Sequence, residues 1–224
     1  MDNQPNSFKT VRPANRQDIP FLALMDLEAS RAPFGNSFWE ELLAPNGTPS
    51  VSFLEVMLQC DASNWGDIKD FLVIERSGQP VATCAVYRPS SMSETNGPLN
   101  LSKLPEIAEM LDWGTSITKS FEQAYNKIWG DDNSFLKPQA EMIVETVAVS
   151  PEHRGLGLGH SLMKAAFKRA REAGASSLGV MVIHGNSPAK ALYEKYFEPF
   201  VTFHSAFFDD TFPGLTKYRA NLNP

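Results

Sequence analysis

Residues 144–159 read Val144-Glu145-Thr146-Val147-Ala148-Val149-Ser150-Pro151-Glu152-His153-Arg154-Gly155-Leu156-Gly157-Leu158-Gly159. A β-branched strand ends at Ser150-Pro151, a short loop turns, and three glycines at spacing two open a helix. The first amides of a helix have no internal acceptor, and the helix dipole adds positive potential there. Glycine lets the backbone approach a bound group and take positive φ. With Arg154 as an added charge, such a turn suits an anion, above all a pyrophosphate. The competing reading is a glycine-rich strand-to-helix turn with no ligand. Two other phosphate motifs are excluded. A P-loop ends in Gly-Lys-Ser/Thr, whereas His160-Ser161 follows Gly159 here. The dinucleotide fingerprint is G-x-G-x-x-G, and this run is G-x-G-x-G.

Outward from that stretch, the pattern alternates strand and helix. Met142 to Val149 is the β-branched strand, and Gly159 to Ala173 a helix with Leu158, Leu162, Ala165 and Ala166 on one face. Gly174 is placed as its C-cap. Ser177 to His184 follows as a strand, and Ser187 to Tyr196 as a helix. Two strands close the chain, Phe200 to Phe208 and Leu215 to Leu222. Upstream, Phe8 to Arg12 alternates as a short first strand. Asp18-Ile19-Pro20 starts a helix running to about Ser30. Ser37 with Glu40 is a capping box for a second helix, which Ala44 to Pro49 breaks. Ser52 with Glu55 repeats the capping pattern before a third helix to about Cys60. Phe71 to Glu75 and Val81 to Tyr87 read as a hairpin around Ser77-Gly78-Gln79. Residues 88–100 are loop, and Leu104 to Trp113 and Ile117 to Trp129 are helices. The link from Arg88 to Gln139 is long for neighbouring strands. It is expected, with the helices near residues 16–60, to wall the acceptor side.

The chain has 224 residues, 42% of them hydrophobic, and a formal net charge of -6. That length suits one large domain, and the acidic balance disfavours a general nucleic-acid binder. Cys60 and Cys84 lie far apart without a C-x-x-C or zinc spacing, so two reduced structural thiols and no metal are expected. The polar start lacks a secretory h-region, and no apolar run reaches the ~18 residues of a membrane span. A soluble, cytoplasmic protein follows as the expectation.

At this point the sequence resembles the GNAT acyltransferases. Their Arg/Gln-x-x-Gly-x-Gly/Ala signature is matched by Arg154, Gly157 and Gly159, after a Val-x-Val-x-Pro strand end and before an amphipathic helix. Asn186-Ser187-Pro188-Ala189-Lys190-Ala191-Leu192-Tyr193-Glu194-Lys195 is similar to the family's later helix, with its Asn, Ala and Leu-Tyr-x-Lys pattern. Tyr196-Phe197 departs from the Gly-Phe often found after the lysine. The resemblance covers residues 141–200.

It implies an α/β GNAT fold: a mixed, mostly antiparallel sheet of about seven strands with helices on both faces. One domain is expected over residues 1–224, with a helical insert at about 88–140. It also implies acetyl-CoA as acyl donor and acetyl transfer to a primary amine by direct attack in a ternary complex. No cysteine lies near the motif in sequence to suggest a covalent intermediate. Backbone groups of Val147, Ala148 and Val149 are then expected on the pantetheine. Amides of Arg154, Gly155, Leu156, Gly157, Leu158 and Gly159 are expected on the pyrophosphate, and Asn186 on the cofactor. Tyr193 is the expected acid for the departing thiolate, against a reading as core aromatic. Glu145 is the expected base, sharing a face with Val147 and Val149 by the two-residue period; an exposed or salt-bridged strand Glu is the alternative. His184 is a rival base, His153 a solvated loop residue. Lys164, Lys168, Arg169 and Arg171 read as a solvated face, with contact to the cofactor's 3′-phosphate as the alternative. The phenylalanines at 197, 200, 203, 207, 208 and 212 read as core and edge strand. Two other functions stay open: acetylation of a protein N-terminus or lysine, and a non-catalytic acyl-CoA-binding module. The expected partner is a small-molecule amine, with neither nucleic acid nor membrane; a homodimer stays open.

Overall fold

The computed structural model describes residues 10–91, 97–130 and 133–222. The strands are β1 (Thr10–Pro13), β2 (Phe71–Arg76), β3 (Gln79–Tyr87), β4 (Met142–Val149), β5 (Ser177–Ile183), β6 (Glu198–His204) and β7 (Gly214–Asn221). They form one open sheet in the order β1-β2-β3-β4-β5-β7-β6. The β4–β5 pair is parallel and the other neighbours are antiparallel. The helices are α1 (Ile19–Ser30), α2 (Phe38–Leu43), α3 (Ser50–Gln59), α4 (Leu104–Met110), α5 (Thr115–Trp129), α6 (Leu158–Glu172) and α7 (Ser187–Tyr193).

Alternating strand residues feed two cores, one on each face of the sheet. Phe71, Val73 and Ala85 turn toward α1 to α5, where they meet Leu22, Trp39, Phe53, Leu54, Ile107 and Phe121. Leu72, Ile74, Cys84 and Val86 turn to the other face, against Leu158, Leu162, Met163 and Ala166 of α6 and Tyr193 of α7. The insert's helices α4 and α5 complete the first core. Phe53 stacks on Trp113 (5.8 Å, 17°) and packs against Trp39 and Phe121. Among the described residues no helix is long and apolar enough to cross a membrane.

The expected elements are present, with physical reasons for the differences. Phe8 and Lys9 lie outside the described residues; the strand spans Thr10–Pro13. The first helix is preceded by a 3-10 turn that Asn15 and Asp18 close as a capping box. There Asp18 also takes a bidentate ion pair from Arg12, at 2.7 and 2.8 Å. The Ser37–Glu40 capping box forms as expected. The Ser52–Glu55 one does not: Pro49, extended at φ -61°, is the N-cap, and the helix starts at Ser50. The helix from Leu104 stops at Met110 because Asp112 turns left-handed (φ 54°) and the Trp113 amide reaches back to the Ala108 carbonyl. The helix from Ser187 stops at Tyr193, whose carbonyl takes the amides of both Tyr196 and Phe197. Tyr196 keeps a negative φ, so the Gly-Phe departure costs that turn nothing. The strand expected to reach Phe208 ends at His204. Ser205–Phe208 tightens into a 3-10 turn, with Asp209 and Asp210 left-handed after it.

The phenylalanine-rich tail is mostly not core. Phe197 is buried, but Phe200 and Phe207 are half exposed. Phe203, Phe207, Phe208 and Phe212 pack edge to face with one another and with Phe135, and Phe212 also meets Phe34 at a tilt.

Candidate active site

β4 organises the site through an irregularity. Its register with β3 runs Tyr87↔Ile143, Val86↔Val144 and Ala85↔Glu145, then resumes as Thr83↔Ala148 and Ala82↔Val149. Two residues, Thr146 and Val147, therefore stand opposite Cys84, and Thr146 takes φ 50°. This is a β-bulge, and one extra residue reverses which face each later side chain meets. Met142 and Val144 before the bulge, and Val147 and Val149 after it, all pack on the α6 side. Ile143 and Glu145 line the opposite side with Tyr87. The expectation that Glu145 shares a face with Val147 and Val149 is thus corrected, because the two-residue period does not survive the bulge.

β4 and β5 also part company here. Their pairing runs only from Met142↔Leu178 to Val144↔Val180. From Glu145 to Val149 the strand has left β5, and a wedge opens between the two. The glycine turn stands at its mouth. Gly155 and Gly157 have φ of 76° and 72°, and a Cβ on either would meet nothing within 4 Å. Gly157 is the N-cap of α6, so its turn aims the free helix amides outward. Gly159 has another reason to be glycine: a Cβ there would lie 2.9 Å from Leu192 Cδ2, so it lets α6 and α7 pack closely. Leu156 is exposed, while Leu158 is buried in the α6-side core.

Arg154 does not simply point its charge at this turn. Its Nη2 meets Glu28 of α1 at 2.7 Å and its Nε donates to the Val149 carbonyl at 3.2 Å. Asn186 caps α7, its Oδ1 accepting from the Ala189 amide at 3.2 Å. Tyr193 closes the same helix, buried, with its ring edge-on to Phe197 at 6.4 Å. Burial, the Glu145 charge and Cys84 hold its phenol well above the usual range.

On the other side of the bulge, Glu145 lines a small cavity of about 30 Å³ with Trp65, Tyr87, Phe135, Met181 and Lys217. Space of that size takes a water molecule or two, or the end of a side chain. Burial pushes the Glu145 carboxyl up to about 8, Lys217 opposing and Asp26 of α1 adding to the shift. Asp26 is itself pushed up to about 7 by burial, against a hydrogen bond from Trp39. Lys217 is brought down to about 8 by burial, opposed by Glu145.

The other candidates separate cleanly. His184 has both ring nitrogens engaged, Nδ1 with the Pro213 carbonyl (3.1 Å) and Nε2 with the Thr216 hydroxyl (3.0 Å), which leaves neither for a substrate proton. His153 Nδ1 lies 3.0 Å from the Ser150 hydroxyl. Arg169 is not a solvated residue: it donates to the Lys69 carbonyl at 2.7 Å and pairs with Asp70. Lys168 pairs with Glu172, and Arg171 lies over the Phe167 ring. Both cysteines are free and buried. Cys84 is distant from the motif in sequence yet stands directly across from the bulge. Its thiol is pushed up to about 12, which keeps it protonated and a poor nucleophile.

Lys217, Asp26, Trp65 and Tyr87 were missed by the sequence reading. Asp26 carried a signal, as the lone charge in the apolar run Ile19 to Leu27; Lys217 shares its strand with Arg219 and did not stand out.

Residues 36–198 match the Acetyltransferase (GNAT) family, which is well over half of the chain. The chain belongs to the GNAT acetyltransferase family. Members of that family are acetyltransferases that use acetyl-CoA. Streptothricin acetyltransferase of Streptomyces lavendulae is 37% identical over 70 residues, 31% of this chain and 37% of that protein. The match thus spans little more than a third of that curated relative. Among solved structures, an N-acetyltransferase from Staphylococcus aureus Mu50 has a TM-score of 0.60 at 16% identity, covering 94% of this chain and 100% of that one. YncA from Salmonella typhimurium, solved with its cofactor acetyl-CoA, has a TM-score of 0.53 at 14% identity, covering 97% and 95%. These two likenesses concern the fold. The expected sheet of seven strands with helices on both faces is the fold found.

Proposed function

We propose that this GNAT acetyltransferase moves an acetyl group from acetyl-CoA to a primary amine by direct attack in a ternary complex. The observation that carries the reading is the β4–β5 wedge, which has an anion-suited glycine turn at its mouth and a half-buried carboxyl across the bulge. Residues 1–224 are taken as one catalytic domain, with residues 88–140 as an insert bordering the acceptor side. Phe135, in the link after α5, lines the Glu145 cavity, whereas Phe38 and Trp39 belong to the core beneath α2.

The residues fit an acyl-CoA by their own geometry: the Cβ positions of Gly155 and Gly157 face open space, and the backbone of Val147 to Val149 has left β5. Amides of Arg154 to Gly159 would hold the pyrophosphate, the backbone of Val147 to Val149 the pantetheine arm, and Asn186 the edge of the site. When bound, the donor supplies a thioester whose carbonyl carbon accepts the amine nitrogen. Glu145 takes the proton that the ammonium must shed, and a carboxyl titrating near 8 is close to ideal for that exchange near neutral pH. The Tyr193 hydroxyl donates a proton to the departing thiolate; a buried phenol of raised pKa stays protonated until that moment. The Glu145 cavity admits only the reacting end of an acceptor, and the aromatic residues at its rim favour an apolar body outside it over a polyamine.

Two measurements test this. Acetyl-CoA should raise the thermal midpoint, since a ligand that binds only the folded chain stabilises it by mass action. CoA release should then be compared for aryl- and alkyl-amines, spermidine and a basic peptide at equal concentration. No midpoint shift at millimolar acetyl-CoA would overturn the donor assignment. Much faster acetylation of spermidine or the peptide would overturn the small apolar amine.

A further inference from the structure

Lys217 lies on β7, buried at 3% exposure, on the same cavity as Glu145. Its ammonium donates to the Lys137 carbonyl at 2.5 Å. An ammonium has three donors, and among the described residues that carbonyl is its one hydrogen-bonded partner. Among the described residues Glu145 is not within ion-pair distance of it, so the two groups share the cavity without direct contact. A buried cation with unused donors is costly unless something anionic completes it. The opening beside it is lined by Trp65, Phe135 and Met181, which suit an apolar body.

We propose that the acceptor is an amine that also carries a carboxylate, with its nitrogen toward Glu145 and its carboxylate on Lys217. This rests on the amine-acetylation reading above and narrows its substrate class. The cavity then offers the Glu145 carboxyl as proton acceptor for the nitrogen at one end and the Lys217 ammonium for the carboxylate at the other. At neutral pH Lys217 is still mostly protonated, and a bound carboxylate would hold it so. Lys217 is a specificity residue in this scheme, placed to bind a part of the acceptor that does not react.

The test compares matched pairs with and without the carboxylate: L-phenylalanine with phenethylamine, and 4-aminobutanoate with propylamine. CoA release is measured for the full chain and for Lys217→Met and Lys217→Arg. At least one carboxylate-bearing member should show the higher kcat/KM. That preference should fall about 10- to 100-fold in K217M, mainly through KM, and be largely retained in K217R. A purely structural Lys217 would slow both members of a pair alike. Equal or reversed preference in both pairs, or a preference that K217M leaves intact, overturns the inference. Calorimetric titration of the same four compounds into the acetyl-CoA-loaded protein gives a second readout. Carboxylate binding that depends on Lys217 without turnover would keep this inference and refute amine acetylation. Turnover or binding with no dependence on Lys217 would do the reverse.

Discussion

Arg154 and Glu28 meet at 2.7 Å, so the loop that opens α6 is tied to α1 on the far side of the wedge. The pair is largely solvent-facing, and such pairs contribute only about 0–1 kcal/mol to stability. Its weight falls on the site. Glu28→Gln should leave the thermal midpoint of the free protein within a degree or two while releasing Arg154 toward bound phosphate. Acetyl-CoA affinity should then rise a few fold, most clearly at low salt. Weaker binding in that variant would mean that Arg154 serves by being held at Glu28.

The two glycine positions separate strain from packing. Gly157→Val forces a β-branched side chain to φ 72°, which should cost about 1–2 kcal/mol of stability and obstruct the cradle as well. Gly159→Val meets only the tip of Leu192, which can turn aside. Melting curves with and without acetyl-CoA should show the larger loss of ligand-induced stabilisation for Gly157→Val. Equal binding by both variants and the unaltered chain would put the cradle elsewhere.

Tyr193→Phe keeps the ring in its core and removes the hydroxyl. Turnover should fall by ~100- to 10,000-fold, the usual contribution of a general acid, with cofactor affinity little changed. Turnover at the original level would return Tyr193 to packing alone.

Glu145 has two signatures in pH. As a base it must be ionised, so kcat/KM should climb with pH toward a plateau above about 8, and Glu145→Gln should be slow and lack that limb. Its folded pKa lies above its unfolded value, so the folded chain binds the extra proton more tightly. The associated stability is full at acid pH and is lost as pH rises from about 4.5 through about 8. Glu145→Gln should therefore gain in thermal midpoint relative to the unaltered chain as pH goes from 5 to 8. A constant difference across that window would remove the buried carboxyl from the account.

Phe53 is wholly buried between Trp39, Trp113 and Phe121. Phe53→Ala should cost about 3–5 kcal/mol in urea unfolding, and a much smaller loss would mean that α3 and the insert are not packed together through this ring.

Much of the fold could be read from the sequence because its signals are local. Ser37 and Glu40 close a cap within one turn, and the glycine turn announces itself in six residues. The site was less legible. Glu145 and Tyr193 could be singled out as candidates, since a motif and a carboxylate in an apolar strand are visible in one dimension. The face of Glu145 was misjudged because a bulge leaves no mark in the hydrophobic alternation. Lys217 joins Glu145 only after the chain has crossed α6, β5, α7 and β6. Arg154 was identified, but its Glu28 partner lies 126 residues away.

The single extra residue at Thr146 makes β4 two-sided. In the scheme proposed here, donor and acceptor never share a doorway. Free CoA could withdraw past α6 while the acetylated product still rests on the α1 side, and neither product would queue behind the other. Excising that one residue would do more than remove a side chain. It would restore strict alternation and turn the strand beyond it inside out, presenting to each substrate the residues that now serve the other.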